Sequence, residues 1–155
     1  MKTIILYATK YGAAAEIARR IACKIDGSAV HNLKDSPPSL DEFDCIILGS
    51  SVYAGNIRKE AKVFMSKNAD FLLNKKIALY LCGIGAEGEK KYFKSNFSPD
   101  ILQKAKAAVF LGGIFDPKKA NAAERLIIRL ITKQSAYFDV INNRKIEKFA
   151  EEINK

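Results

Sequence analysis

The sequence predicts an α/β protein, a three-layer sandwich in which helices cover both faces of a five-stranded parallel sheet with strand order 2-1-3-4-5. Two observations carry this prediction. Short apolar runs rich in β-branched residues alternate with amphipathic helical runs along the 155 residues. The run at 43–48 is largely apolar on both faces, as in a central parallel strand. We expect one domain over residues 1–155, because a chain of this length can bury its own core.

The first strand, predicted at 3–7, leads through a tight loop into a helix predicted over 13–25. The first turn of such a helix directs unpaired backbone N–H groups, with the positive end of the helix dipole, toward the carboxyl end of the strand. A phosphate is the expected ligand there, because Gly12 permits a positive φ and Thr9 offers a hydroxyl. The candidate phosphate loop comprises Thr9, Lys10, Tyr11, Gly12, Ala13 and Ala14.

A glycine-bounded loop at 49–55 follows the buried strand at 43–48 and precedes a helix predicted at 57–69. Loops at the carboxyl ends of parallel strands contact ligands in doubly wound α/β folds. This loop carries two hydroxyls and an aromatic ring, which favours ligand contact over the alternative that the ring only packs on the core. The candidate residues are Ser50, Ser51, Val52, Tyr53, Ala54 and Gly55.

A strand predicted at 76–81 ends in a third glycine-rich loop, at 82–88. Its glycines formally match the G-x-G-x-x-G fingerprint of dinucleotide-binding proteins. The match falls on a late strand, and no acidic residue follows in a ribose-binding context about 20 positions later, so we reject that interpretation. We predict instead another loop over the same site. The candidate residues are Cys82, Gly83, Ile84 and Gly85.

The rest of the chain predicts a short strand at 28–33, a helix from Pro99 to about residue 105, a strand at 107–113, an irregular stretch at 114–119 and a terminal helix at 143–153. The most amphipathic helix begins at residue 122. Its apolar side carries Leu126, Ile127, Leu130 and Ile131, and its basic side carries Arg125, Arg129 and Lys133. Such a helix either lies at a membrane surface or covers the sheet with its basic ends in water, and we favour the sheet.

The formal net charge of +9 lies entirely in the second part of the chain. Residues 1–57 carry six basic and six acidic side chains, whereas 58–155 carry twenty and eleven. These extra basic side chains either attract an anionic partner or form an ordinary solvated surface. The three cysteines are scattered without a C-x-x-C pair, so we predict neither disulfides nor a zinc site. No apolar run approaches the ~20 residues of a membrane span, and we expect a cytoplasmic protein.

Taken together, the three loops resemble those of the flavodoxin family, and the resemblance covers essentially the whole chain. The loops at 9–14, 49–55 and 82–85 fall where that family holds the flavin phosphate, one face of the isoalloxazine and its other edge. The resemblance implies bound FMN and one- or two-electron transfer. It also implies that Thr9 and the main chain of 10–14 hold the phosphate, while Tyr53 covers the ring.

Two stretches are similar to the flavodoxin-like branch that includes the quinone-dependent protoporphyrinogen dehydrogenases. They are the loop at 49–55 and the segment 112–117, which precedes the helix carrying Arg125 and Arg129. This closer resemblance implies a quinone or a porphyrinogen as partner, where the wider family implies a redox partner protein.

Other functions stay open on the residues alone. No side-chain acid or base is evident, so we predict no catalytic residue, and carrier and enzyme remain alternatives. A receiver domain needs an aspartate at the end of the third strand, where Leu48, Gly49 and Ser50 stand. A basic module without flavin, binding nucleic acid or an anionic membrane, explains the charge but leaves the three loops unexplained. We therefore expect no nucleic-acid partner, but peripheral contact with an anionic membrane stays open.

Overall fold

The computed structural model describes residues 1–85 and 88–155. Its strands are β1 (Thr3–Ala8), β2 (Ala29–Asn32), β3 (Cys45–Tyr53), β4 (Asn56–Ile57), β5 (Lys76–Cys82), β6 (Ala108–Phe110), β7 (Ile114–Phe115) and β8 (Phe138–Asp139). Its helices are α1 (Ala13–Ala22), α2 (Lys59–Leu73), α3 (Glu89–Asn96), α4 (Pro99–Lys104), α5 (Ala122–Thr132) and α6 (Asn143–Asn154).

The main sheet confirms the predicted strand order. Its five parallel strands run β2-β1-β3-β5-β6, which is the order 2-1-3-4-5 when the short β4 is not counted. Leu6 of β1 lies opposite Leu48 of β3, and Leu48 lies opposite Leu79 of β5. The short β4 pairs with the end of β3 in an antiparallel hairpin, and β7 pairs with β8 in a separate ribbon.

Helices cover both faces of this sheet, as predicted. Successive strand residues point to opposite faces, so Ile4 packs with α2, α3 and α4 on one side, whereas Ile5 packs with α1 and α6 on the other. Phe64 and Ile101 are core residues of the first layer, and Ile17 and Phe149 are core residues of the second. The three layers hold the carboxyl ends of the strands at one edge of the molecule.

Several predicted boundaries differ from the structure. The prediction of a glycine-bounded loop over 49–55 is wrong for residues 49–53. Gly49 pairs with both Tyr7 and Tyr80, and β3 continues to Tyr53. The irregular stretch predicted at 114–119 starts with β7, which pairs with β8. Helix α3 was not predicted, because it buries only Phe93 and its sequence is weakly amphipathic. In the third candidate loop, residues 86–87 lie outside the described residues.

The prediction that helix α5 covers the sheet is wrong. Its four large apolar side chains are 57, 49, 72 and 65% exposed at Leu126, Ile127, Leu130 and Ile131. The helices that pack on the two faces of the sheet are α2, α3 and α4 on one side and α1 and α6 on the other. Within residues 1–85 and 88–155, no helix combines the length and the apolar character that crossing a bilayer requires.

We predict that Gly49→Ala destabilises the fold by roughly 1–3 kcal/mol, the typical range for overpacking a core. The added Cβ would lie 1.8 Å from Cζ of Tyr80, whose fully buried ring occupies the space over Gly49. Urea unfolding measures the effect. Gly83→Ala is the matched control, because its Cβ would meet its nearest neighbour at 3.4 Å. Equal stability of the two variants would contradict this account.

Candidate functional site

Three loops meet at the carboxyl edge of the sheet because the strands that carry them are hydrogen-bonded neighbours. Ala8, the last residue of β1, lies opposite Ser50 of β3. Ser51 of β3 lies in turn opposite Cys82, the last residue of β5. The loop after β1, the hairpin of β3 and β4 and the loop after β5 therefore form one continuous surface, as the sequence predicts for this strand order.

The loop after β1 enters α1 through Gly12, which has a φ of +102° and is the N-cap residue. The Gly12 N–H donates to Oγ1 of Thr9 at 2.9 Å, and the Gly12 carbonyl accepts from the Glu16 N–H. The N–H groups of the first turn of α1 have no acceptor within the helix, and they lie at its positive end. Oη of Tyr80 donates to the Ala14 carbonyl at 2.8 Å, which ties this turn to the sheet.

The hairpin of β3 and β4 replaces the predicted second loop and presents Tyr53. At its tip, Ala54 and Gly55 have φ values of 48° and 77°, as a tight two-residue turn requires. The Asn96 side chain donates to the Gly55 carbonyl at 2.8 Å and accepts from the Ile57 N–H at 3.0 Å. Tyr53 is 48% exposed. Asn96 thus fixes a hairpin about forty positions away, which no local sequence signal indicated.

Two of the predicted contact residues turn their side chains into the core. Ser50 is buried, with its hydroxyl donating to the Ser51 carbonyl and accepting from the Arg58 N–H, both at 3.0 Å. Cys82 is fully buried, and burial raises the pKa of its thiol to about 12. These two side chains serve the fold, so only their main chain borders the site. The buried hydroxyl of Ser51 has no hydrogen-bond partner among the described residues.

The third loop lies against the hairpin through its main chain. The Gly83 N–H donates to the Gly112 carbonyl at 3.0 Å. A Cβ on Gly83 would lie 3.4 Å from the Val52 carbonyl oxygen, and one on Gly113 would lie 2.7 Å from the Gly83 carbonyl oxygen. Gly85 has a φ of +91°. The Gly83 main chain therefore packs against Gly112 and Gly113, and within the described part of this loop the main chain of Ile84 and Gly85 is what can contact a ligand.

A charged cluster that the sequence did not indicate joins the phosphate loop to α5. Glu124, the buried residue near the start of α5, accepts hydrogen bonds from Nζ of Lys10 and from Oη of Tyr11. Nζ of Lys10 also lies 4.0 Å from the ring centroid of Tyr53 and 4.9 Å from that of Tyr11. Glu124 is over one hundred positions from Lys10, so only the tertiary structure reveals the pair.

The protonation states of this cluster follow from its contacts. Burial alone would raise the pKa of Glu124, but hydrogen bonds from Lys10, Tyr11 and the Asn121 N–H lower that pKa to about 2. The hydrogen bond with Glu124 raises the pKa of Lys10 and that of Tyr11 above their ordinary values. Lysine and glutamate are therefore both charged at neutral pH. The carboxylate is compensated and does not oppose an anion at the neighbouring loop.

A cavity of about 270 Å³ borders the phosphate loop on the side of α1. It shares Tyr11 and Gly12 with that loop, and its other walls include Arg20, Lys119 and Asp139. Among the described residues, none of the hairpin or of the loop after β5 lines it. We therefore treat it as a neighbour of the candidate site and not as the place for a ligand that spans all three loops.

A family model described as a flavodoxin domain matches residues 4–140, which is most of the chain. This chain belongs to the flavodoxin domain family. Among solved structures, oxidised flavodoxin 2 from Bacillus cereus aligns with 99% of this flavodoxin domain and 98% of its own length, at a TM-score of 0.63 and 19% identity. Oxidised flavodoxin 1 from the same organism aligns with 99% of this flavodoxin domain and 97% of its own length, at a TM-score of 0.59 and 15% identity. These two likenesses concern the fold.

One curated relative of this flavodoxin domain is the protoporphyrinogen IX dehydrogenase [quinone] of Escherichia coli strain K12. It is 27% identical over 149 residues, an alignment that covers 87% of this chain and 81% of the relative. The family match over residues 4–140 confirms the flavodoxin resemblance seen in the sequence, and this relative agrees with it.

We predict that Glu124→Gln lowers the free energy of unfolding by roughly 1.5–3 kcal/mol at pH 7, the range for hydrogen bonds to a charged group. Because the folded pKa of about 2 is below the ordinary 4.5, the loss relative to wild type is complete above pH 4.5 and disappears as the pH falls toward 2. Urea midpoints across this pH range test it.

The control for this prediction is Glu147→Gln, which removes the same charge from an exposed pair. Glu147 lies 3.3 Å from Nζ of Lys24 and about half of its side chain is exposed. Such pairs contribute little to stability, so its unfolding midpoint should stay close to that of the wild type. A pH-independent difference between Glu124→Gln and wild type would contradict the charged state of Glu124.

Proposed function

We propose that this flavodoxin domain binds FMN at the three loops and transfers electrons. The observation that carries the proposal is the meeting, on one sheet edge, of a helix N-terminus behind a positive-φ glycine, an exposed aromatic ring and a glycine loop. A phosphate suits the helix N-terminus, and a flat aromatic ring system suits the exposed ring and the glycine loop. When bound, FMN supplies reversible one- or two-electron chemistry.

Each loop has a distinct part in this proposal. The main chain of residues 10–14 and the Thr9 hydroxyl hold the phosphate, because Thr9 accepts from Gly12 and keeps its own proton for donation. Tyr53 covers one face of the flavin ring, and the main chain at 83–85 borders its other edge. The carboxylate of Glu124, which lies beside the phosphate loop, is held by Lys10 and Tyr11.

The hairpin tip is the proposed partner of flavin N5. The Ala54 carbonyl accepts from the Asn56 side chain at 3.1 Å, and the Gly55 carbonyl accepts from Asn96 at 2.8 Å. These bonds hold the tip in one conformation, so its main-chain groups are presented in a fixed direction. A proton at N5 would thus be held by backbone groups, and the proposal assigns no side-chain acid or base.

The electron partner in this proposal is a redox protein or a quinone. The 27% identity to a quinone-linked protoporphyrinogen dehydrogenase favours, as a second candidate, an oxidoreductase of that type. Anaerobic mixing of the FMN-loaded protein with protoporphyrinogen IX and a soluble quinone separates the candidates. Porphyrin formation that depends on both quinone and flavin supports the enzyme. If no porphyrin forms although the bound flavin can still be reduced, the carrier is supported.

We also infer that residues 1–155 act as one folded unit. Helix α6 at the end of the chain packs against α1 through Ile146, Phe149 and Ile153 in the core that α1 shares with the sheet. Because α1 begins at the phosphate loop, removal of α6 should weaken the cofactor site as well as the fold.

The first measurement is the visible absorption spectrum of the purified protein, before and after adding FMN and removing the excess. Flavin bands that stay with the protein support the proposal. A colourless protein after this treatment would overturn it and favour the basic module without flavin, whose nucleic-acid or membrane binding would then show a steep dependence on salt.

We predict that Gly12→Val abolishes FMN binding. A β-branched side chain opposes the φ of +102° that brings the loop into α1, and it fills the space where a phosphate would approach the main chain. Fluorescence titration with FMN measures the loss. Gly27→Val is the matched control, because Gly27 also has a positive φ, of +68°, but follows the other end of α1. Tight binding by Gly12→Val would exclude this phosphate site.

We predict that Tyr53→Ala weakens FMN binding and shifts the flavin reduction potential. An exposed ring at this edge is expected to stack on the flavin, and stacking affects its oxidised and reduced forms unequally. Titration and redox potentiometry measure both effects. Tyr53→Phe keeps the ring and should leave affinity close to wild type. An unaltered potential in Tyr53→Ala would remove Tyr53 from the ring site.

A further inference from the structure

The outward face of α5 combines large apolar side chains with a basic edge. Leu126 and Leu130 are one turn apart, as are Ile127 and Ile131, so the four form one continuous exposed strip. Arg125 and Arg129 lie along one margin of this strip, and Lys133 ends the helix. We call these seven residues the α5 surface.

The α5 surface carries no compensating negative charge of its own. Residues 117–137 contain five basic side chains and a single acidic one, Glu124. That carboxylate faces inward, where Lys10 and Tyr11 hold it. Every charge that the helix presents to the outside is therefore positive.

We propose that the α5 surface docks in the headgroup region of an anionic lipid bilayer. A helix with this division between apolar and basic sides lies in the plane of the interface, with the apolar strip among the acyl chains and the arginines at the phosphates. The stem of Arg129 can lie along the apolar strip while its guanidinium group reaches the headgroups. Nη1 of Arg125 donates to the Pro117 and Ala120 carbonyls, both at 3.2 Å, and its other guanidinium nitrogens can donate to a lipid phosphate. The helix lies on the membrane, and at eleven residues it does not span it.

Charge favours the lipid surface over a second copy of this chain as the occupant of the strip. A second copy of this chain would place two such surfaces face to face, each with five basic side chains in the segment 117–137. Like charges in such an interface oppose association. An anionic bilayer instead supplies both an apolar layer and a dense negative surface, which match the two sides of the helix.

Docking through α5 would also orient the candidate flavin site, a consequence that rests on the proposed function. Glu124 connects α5 to Lys10, whose Nζ lies over the ring of Tyr53. Nζ of Lys119, just before α5, donates to the Tyr11 carbonyl at 3.2 Å. The phosphate loop and Tyr53 are thus held near the docking helix, which suits a lipophilic electron acceptor dissolved in the membrane.

The test is co-sedimentation of the full chain with vesicles, either of pure phosphatidylcholine or of phosphatidylcholine mixed equally with phosphatidylglycerol. Wild type should bind the anionic vesicles and not the neutral ones. The double variant Leu130→Glu/Ile131→Glu should bind at least about tenfold more weakly, because it places two charges in the apolar strip.

The matched control is the double variant Val30→Glu/Val63→Glu. It makes the same change in net charge at two apolar side chains outside α5 that are 39 and 41% exposed. If the strip inserts, the control should keep most of the wild-type binding. Circular dichroism of all variants checks that they are folded, and FMN titration of each reports the cofactor site independently of lipid.

Three results would overturn the proposal. The first is that anionic vesicles do not retain the wild type. The second is an equal loss of binding in the two double variants, which would indicate general electrostatic attraction without insertion. Sedimentation velocity without lipid could also show a wild-type dimer that Leu130→Glu/Ile131→Glu converts to a monomer, which would assign the strip to a second copy. FMN binding that persists in any of these cases leaves the proposed function intact.

Discussion

The parallel pairing of β1, β3 and β5 is the constraint on which the rest of the structure depends. It places Ala8 beside Ser50 and Ser51 beside Cys82, so three loops far apart in sequence share one edge. A shift of one residue in either pairing would exchange the core faces of a strand and separate the loops. Gly49 strengthens this register, because only a residue without a side chain lets the Tyr80 ring lie across β3 and reach the Ala14 carbonyl.

The same edge is stiffened by polar groups that come from outside the three loops. Asn96 of α3 holds both the Gly55 carbonyl and the Ile57 N–H, and thereby shapes the hairpin that presents Tyr53. Glu124 of α5 likewise accepts hydrogen bonds from Lys10 and Tyr11 and so holds the side chains of the phosphate loop. A buried carboxylate is tolerated only with such partners, so the phosphate loop and α5 stabilise each other.

This connection gives α5 its place in the molecule. A helix that covered the sheet would bury its apolar strip, but both faces of this sheet are already occupied by other helices. The contact through Glu124 instead leaves Leu126 and Leu130 exposed next to Arg129. The proposed flavin site and the proposed membrane surface are therefore adjacent. In the proposal, basic side chains from the second part of the chain contact the lipid headgroups at this helix.

The sequence by itself determined the alternation of strands and helices, the strand order and the three loops, because apolar periodicity and glycine positions are local signals that parallel topology combines in few ways. It also determined the flavodoxin family, which the family model confirms over residues 4–140. Only the tertiary structure decided that Ser50 and Cys82 face the core, that β3 continues to Tyr53, and that α5 is exposed. Those outcomes depend on which surfaces remain uncovered and on partners such as Lys10 and Glu124, which no local pattern brings together.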